Sequence, residues 1–340
     1  MSNLVQISKI AGVSRATVAR AFSSPEQVKL ETRERIYQVA KTLGFRPNYA
    51  ARQLRTQSSK MLGVMLPTLD NPIFSGQLEA MEKMAREHDY SLLVATTEYD
   101  PQSELEVLEN MLRQRVDGLI LTVANAQQSD CLNKIKQESI PTVLTHNPVE
   151  NTDFITISID NYAAMYDATQ RLIQYGHNNI AMITGPFFQS DRSALRYQGY
   201  ADAMTAAGLT ALPVVEMQSH TQVQIDTLLP LLKQNITALL CSNDLLALSS
   251  IGNLQRLGYL VPEHISVVGF DGIALGKTLY PALSSVAQPR ELLGWLSVKT
   301  LLQMISGQTV TSQTLCTQFN LEESMSNAPQ TTSITHKDIL

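Results

Sequence analysis

Arg15 and Arg20 carry the most specific chemistry near the start of the chain. A guanidinium can donate two hydrogen bonds to guanine O6 and N7 in the major groove. Ser14 and Thr17 beside them are short hydroxyls placed to reach phosphates. A second set of reactive side chains follows a series of apolar runs. It comprises Asn71 (beside Asp70) and Phe74, His146 (beside Asn147), Asp160, then Ser190, Asp191, Arg192 and Arg196, then Asn243 (beside Asp244) and Asp271. Carboxylates, amides and guanidiniums of this kind suit a hydroxyl-rich or anionic small molecule, and Phe74 can cover an apolar face. No set suits catalysis. The chain has no GxSxG, HExxH, P-loop or GxGxxG, and its six histidines have no metal-ligand spacing. It is expected to be no enzyme and to need neither cofactor nor metal.

Local patterning says how the first set is held. Asn3 and Gln6 have capping-box spacing, and Leu4, Ile7 and Ala11 repeat on one helical face. Gly12 stops that helix, Ser14 can cap the next, and Val18, Ala21 and Phe22 turn inward on Arg15–Phe22. Two short helices about a glycine turn predict a helix-turn-helix whose second helix enters the major groove. A third helix spans Leu30–Leu43, with Ile36, Val39, Ala40 and Leu43 inward. After Pro47, Asn48 can cap a short helix Tyr49–Leu54, followed by a polar linker to Lys60. Leu54 there is an apolar side chain available as a minor-groove wedge.

Apolar runs then alternate with helical patterns. Met61–Leu66, Ser91–Ala95, Gly118–Thr122, Thr142–Thr145 and Ile155–Ile159 read as buried strands, and the alternation restarts near Tyr162 with Ile180–Thr184, Pro213–Met217, Ala238–Ser242 and Ile265–Phe270. Intervening helices predict parallel sheets covered on both faces. In such sheets ligands sit beyond the carboxyl ends of the strands, where the second residue set falls.

AGVSRATVARAF, TRERIYQVAKTLGFRPNYAARQLRT and LGVMLP together resemble the N-terminal signature of the lactose-repressor (LacI/GalR) family of bacterial regulators. The resemblance implies that Arg15, Ala16 and Arg20 read bases and that Leu54 wedges into the centre of a near-palindromic operator, with Asn48 and Ala51 on the same DNA-contacting segment. It also implies two subdomains built like periplasmic sugar-binding proteins. GPFFQSDRSALRYQGY looks like the family's effector-contact segment, with Arg196 as its ligand-binding arginine; CSNDLLALSS and VVGFDG place Asn243 and Asp271 in the pocket. His146 stands where several members carry Asp, which tilts the expected ligand towards one with an acidic group. SSPEQV and VAQPRE look more like gluconate-type members than lactose-type ones.

The expected organisation is an all-α helix-turn-helix headpiece at 1–47, a hinge helix and linker at 48–60, and two α/β subdomains, one of 61–160 with 290–322, the other of 162–288 with 323–340. Trp295 is expected in or beside the cleft between them. The polar stretch from Ser324 lacks a leucine heptad, so a homodimer is expected on a two-fold operator. Charge supports the division: residues 1–60 hold 11 Lys and Arg against 3 Asp and Glu, and the other 280 hold 15 against 28. Cys131, Cys241 and Cys316 are scattered, no apolar h-region follows Met1, and no apolar run approaches a membrane span. A cytoplasmic, metabolite-controlled repressor is the expected function, with a sugar or sugar acid as effector and no membrane partner. The alternatives are a solute-binding protein of a sugar transporter and a regulator that needs a nucleobase corepressor.

Overall fold

The computed structural model describes residues 4–45, 58–148 and 153–329. Its contacts divide it into two units, Met1–Ser59 and Lys60–Leu340.

In the first unit, α1 (Leu4–Ala11) stops at Gly12, whose φ of +65° costs little without a Cβ. The Ser14 hydroxyl accepts from the Thr17 N–H at 3.0 Å and starts α2 (Arg15–Ser23). With α3 (Leu30–Thr42) these helices bury Ile7, Ala11, Val18, Ala21, Ile36 and Ala40. The Tyr37 hydroxyl donates to the Ala21 carbonyl at 2.7 Å, which ties α3 to α2. The expected hinge helix, with Asn48, Ala51 and Leu54, lies outside the described residues.

The second unit begins with β1 (Met61–Leu66), α4 (Pro72–Glu87), β2 (Ser91–Thr96), α5 (Pro101–Arg113) and β3 (Gly118–Leu121). It continues through α6 (Asp130–Glu138), β4 (Thr142–Thr145), β5 (Ile155–Ile159), α7 (Asn161–Gln174) and β6 (Ile180–Thr184). Then come α8 (Asp191–Ala206), β7 (Val215–Glu216), α9 (Ile225–Leu232), β8 (Ala238–Cys241), α10 (Asp244–Arg256) and β9 (Ser266–Asp271). The last elements are β10 (Ser284–Ala287), α11 (Arg290–Ile305), β11 (Gln313–Leu315) and β12 (Gln318–Asn320).

The strands form two six-stranded sheets, ordered β11-β5-β4-β3-β1-β2 and β12-β10-β9-β8-β6-β7. Every pairing is parallel except that of β10 with β12. Strands such as Gly118–Leu121 and Ile180–Thr184 are buried throughout because helices cover both faces. No helix among the described residues is long and apolar enough to cross a membrane.

Three segments pass between the sheets: the one leaving β5 for α7, the one leaving β10 for α11, and the one joining β11 to β12. The last corrects the expected boundary. The chain joins the second sheet at Gln318, where β12 pairs with β10, rather than staying with the first subdomain to residue 322. The return helix α11 packs Leu293, Val298 and Leu301 into the first subdomain's core. Gly294 permits its closest approach to α4: a Cβ there would lie 2.3 Å from the Gln77 carbonyl oxygen. We expect Gly294→Ala to force the two helices apart and to destabilise the protein by about 1–3 kcal/mol, measured by urea denaturation.

Candidate functional site

The carboxyl ends of both sheets face one cleft. From the first subdomain it is lined by Asn71, Ile73 and Phe74 after β1, Tyr99 after β2 and His146 after β4. The second subdomain supplies Ser190, Arg192, Ser193 and Arg196 after β6, His220 after β7, Ser242 and Asn243 after β8, Asp271 at the end of β9 and Gln288 after β10. Helix starts fix several of them. Asn71, Ser190 and Asn243 are the N-caps of α4, α8 and α10, so each side chain is held by a backbone N–H. His146 and Asp271 adopt φ of +64° and +125° at their strand ends, a region L-residues rarely occupy and one that clusters at binding sites.

Polar bonds cross the cleft. Asn71 Nδ2 donates to Asp271 Oδ2 at 2.9 Å. Asp191 Oδ2 accepts from the Ala126 N–H at 3.0 Å and from Asn147 Nδ2 at 2.9 Å, while the Asp191 N–H donates to the Ala124 carbonyl at 2.8 Å. Arg192 Nη1 donates to the Val123 carbonyl at 2.8 Å. Tyr99 stacks on His220 with ring centroids 4.0 Å apart. The Val123–Ala126 strap that receives α8 is itself anchored by buried Glu104, which accepts from the Ala124 N–H at 2.6 Å; burial pushes that carboxyl up to about 7.

Within the second subdomain Arg196 is buried. Its Nε donates to Asn161 Oδ1 at 2.8 Å, its Nη1 donates to the Ser242 carbonyl, and its guanidinium lies 3.6 Å over the Phe270 ring. Gln288 Nε2 donates to Asp271 Oδ1 at 2.7 Å. Behind Asp271, Asp244 accepts from Ser285 and from the Ile273 N–H, and burial with the neighbouring Asp271 pushes it up to about 7. His146 shares a 2.7 Å hydrogen bond with Gln77 and lies edge-on to Phe74 at 5.3 Å. Burial, then Arg192 and Arg196, drive His146 down to about 3, and the same causes drive His220 down to about 3, so both imidazoles are neutral. Among the described residues, the buried side-chain atoms without a hydrogen-bond partner are Gln77 Nε2, His220 Nε2, Ser242 Oγ and Gln288 Oε1. Three of those residues line the cleft and Gln77 stands directly behind His146.

The structure thus gathers Asn71, Phe74, His146, Ser190, Arg192, Arg196, Asn243 and Asp271 around one cavity. Two expected contacts fall elsewhere. Asp160 is exposed and caps α7 by accepting from the Ala163 N–H at 2.8 Å; its neighbour Asn161 is the residue bound to Arg196. Asp191 fastens the two subdomains together instead of lining the cavity. Trp295 also lies outside the cleft, in a groove between α4 and α11 beneath Lys299. Tyr99, His220 and Gln288 were not foreseen. Gln288 follows the short small-residue strand Ser284–Ala287, and His220 follows a strand of two residues, so neither carries a clear periodic signal. Their position just past an apolar run was the signal available.

On the headpiece, Arg15, Ala16 and Arg20 are exposed on α2 while Val18 and Ala21 face inward. Ser14 and Thr17 hydroxyls lie 2.9 Å apart at the start of that helix.

Two family models match the chain. Residues 59–324 match periplasmic binding proteins and the sugar binding domain of the LacI family, and residues 3–48 match bacterial regulatory proteins of the lacI family. The HTH-type transcriptional regulator GntR of Escherichia coli K12 is 33% identical over 321 residues, covering 94% of this chain and 96% of its own. Catabolite control protein A of Priestia megaterium is 30% identical over 314 residues, covering 91% and 94%. The crystal structure of the lac repressor dimer bound to operator and the anti-inducer ONPF superposes with a TM-score of 0.85 at 26% identity, covering 95% of this chain and 98% of that one.

His146 gives a test of the cleft's electrostatics. The unfolded chain takes up a proton near the ordinary value of 6.5, and the folded chain refuses it until about pH 3. The stabilisation from neutral His146 is therefore complete above pH 6.5 and is lost as pH falls towards 3. By NMR, the His146 ring should stay neutral from pH 7.5 to pH 5; a midpoint near 6.5 would contradict its burial beside two guanidiniums.

Proposed function

The chain belongs to the LacI family of bacterial regulatory proteins, and from that premise we propose a working mechanism for this regulator. It is a DNA-binding transcriptional regulator, not an enzyme, and it acts as a cytoplasmic repressor. A homodimer reads a pseudo-palindromic operator, and a sugar or sugar acid in the cleft sets whether it stays there. Arg15, Ala16 and Arg20 present the exposed face of α2 to base edges, and Ser14 and Thr17 reach the phosphates. Asn48, Ala51 and Leu54 contact the operator centre, with Leu54 as the wedge.

The observation that carries the effector reading is the convergence of unpartnered buried polar atoms on the cleft. Leaving such an atom unsatisfied costs about 1–3 kcal/mol, and a hydroxyl-bearing ligand relieves it. Asn71, Phe74, His146, Ser190, Arg192, Arg196, Asn243 and Asp271 form the ligand shell. Asp191 acts by holding the subdomains together. A similar solved structure, a transcriptional regulator CelR–cellobiose complex, is 26% identical with a TM-score of 0.70, and its bound molecule is a sugar. Closure around the ligand moves the first subdomains of the dimer and thereby the segment that leads to the headpiece. Such coupling is reciprocal, so operator and effector must change each other's affinity by the same factor.

Arg20→Ala should weaken specific operator binding by about 1–3 kcal/mol in fluorescence anisotropy and leave effector affinity in the DNA-free protein unchanged. Unaltered operator affinity would remove α2 as the reading helix.

A further inference from the structure

Asp100 caps α5 by accepting from the Gln102 and Ser103 N–H groups, and this sets Glu104 on the first turn of that helix, beneath the Val123–Ala126 strap. Glu104 is 2% exposed. Its Oε1 accepts from the Ala124 N–H at 2.6 Å, and its Oε2 accepts from the hydroxyl of Ser129, the N-cap of α6, at 3.3 Å. One carboxyl thus joins α5, the strap and α6. No cation among the described residues is paired with it. The charged and titratable groups that face it are Arg192 and Asp191 from α8 and Cys131 from α6. Arg192 is already bonded to the Val123 carbonyl and to Asp191 Oδ1. Burial pushes the Cys131 thiol up to about 12, so it keeps its proton.

Two effects on Glu104 oppose each other. Burial favours the acid, while both hydrogen bonds and Arg192 favour the carboxylate. Burial is the larger, so the carboxyl keeps its proton up to about pH 7, where a hydrated glutamate releases it near 4.5. The cover that keeps water out is held down from across the cleft. Helix α8 fastens the strap through Arg192 on the Val123 carbonyl, the Asp191 N–H on the Ala124 carbonyl and the Asp191 carboxylate on the Ala126 N–H.

We propose that the docking of α8 on the strap is proton-linked through Glu104: the closed arrangement keeps the proton, and undocking, which leaves only the small side chains Ala124 and Ala126 as cover, admits water and releases it. The stabilisation of the closed form is complete below pH 4.5 and is lost as pH rises through 7. Opening becomes easier on the alkaline side of neutrality, by up to about tenfold between pH 6 and pH 8 for a carboxyl fully hydrated on opening. The linkage needs no ligand and acts on the free protein. Asp244, pushed up to about 7 by burial and by Asp271, is the rival group in the same pH window. His146 and His220, driven down to about 3, stay neutral throughout it.

Hydrogen–deuterium exchange on the full-length protein between pH 6 and pH 8, with the intrinsic pH dependence of amide exchange divided out, reads undocking at the Ala126 and Asp191 amides, whose acceptors lie across the cleft. The amide of Ile120, buried within β3, reads global opening. Protection at Ala126 and Asp191 should fall roughly five- to tenfold over that range, with a midpoint near pH 7, while Ile120 stays protected. Glu104→Gln keeps an acceptor for the Ala124 N–H and cannot ionise, so it should hold at pH 8 the protection seen at pH 6. Asp244→Asn should retain the parent's fall. The proposal is overturned by protection that is flat or rises with pH in the parent, by an equal fall in Glu104→Gln, or by a fall that disappears in Asp244→Asn. The parent and Asp244→Asn profiles decide against it even where Glu104→Gln folds poorly.

Discussion

A carboxylate held out of water must find donors, and at the cleft most of them come from the other subdomain. Asp271 receives Gln288 from its own sheet and Asn71 from the opposite one. Asp191, on the first turn of α8, is satisfied by Ala126 and Asn147 across the cleft. Separating the subdomains therefore strips hydrogen bonds from charged groups that burial has already deprived of water, at a cost of several kcal/mol unless water replaces them. At the cleft the closed arrangement is held by hydrogen bonds at the sheet ends together with the Tyr99–His220 stack. An interface of that kind is responsive to a polar ligand in a way that a packed core is not.

The rest of the second unit keeps those ends in place. Both sheets have the strand order of an open doubly wound fold, so the carboxyl ends of the inner strands converge where ligands bind. Helix α11 returns to the first subdomain and, through Gly294, lies tightly on α4 at Gln77, the residue that fixes His146. Packing far from the cavity thus reaches a side chain in its wall. Glu104 does the same for the strap that receives Asp191 and Arg192.

Much of this was legible in the sequence because it depends on period and punctuation. Gly12, Ser14 and the spacing of Ile7, Val18 and Ile36 determine the headpiece, and each does in the structure what its chemistry suggests. Strand-end position found most of the cleft, since the apolar runs of β1, β4, β6, β8 and β9 are unambiguous. It failed for Asp160, because a residue after a strand is also where a helix must be capped, and capping claimed the carboxylate. It missed His220 and Gln288, whose strands are too short or too small in side chain to announce themselves. The tail was misdivided because β11 and β12 are three residues each and polar at several positions, and their membership is decided by pairing with distant strands. Trp295 was misplaced because helical period reveals which face is buried and not which groove a large ring enters.

Bonds between Asn71 and Asp271, and from Asp191 to the Val123–Ala126 strap, hold the two subdomains closed. Gln128 and Gln218 are exposed, on loops after β3 and β7, and can carry spin labels as cysteines in a Cys316→Ser background. Electron–electron dipolar spectroscopy between them reads the opening of the cleft directly. Asn71→Ala with Asp191→Ala is expected to shift the distance distribution to longer and broader values while the protein remains folded. A distribution unchanged from that of the labelled parent would contradict it.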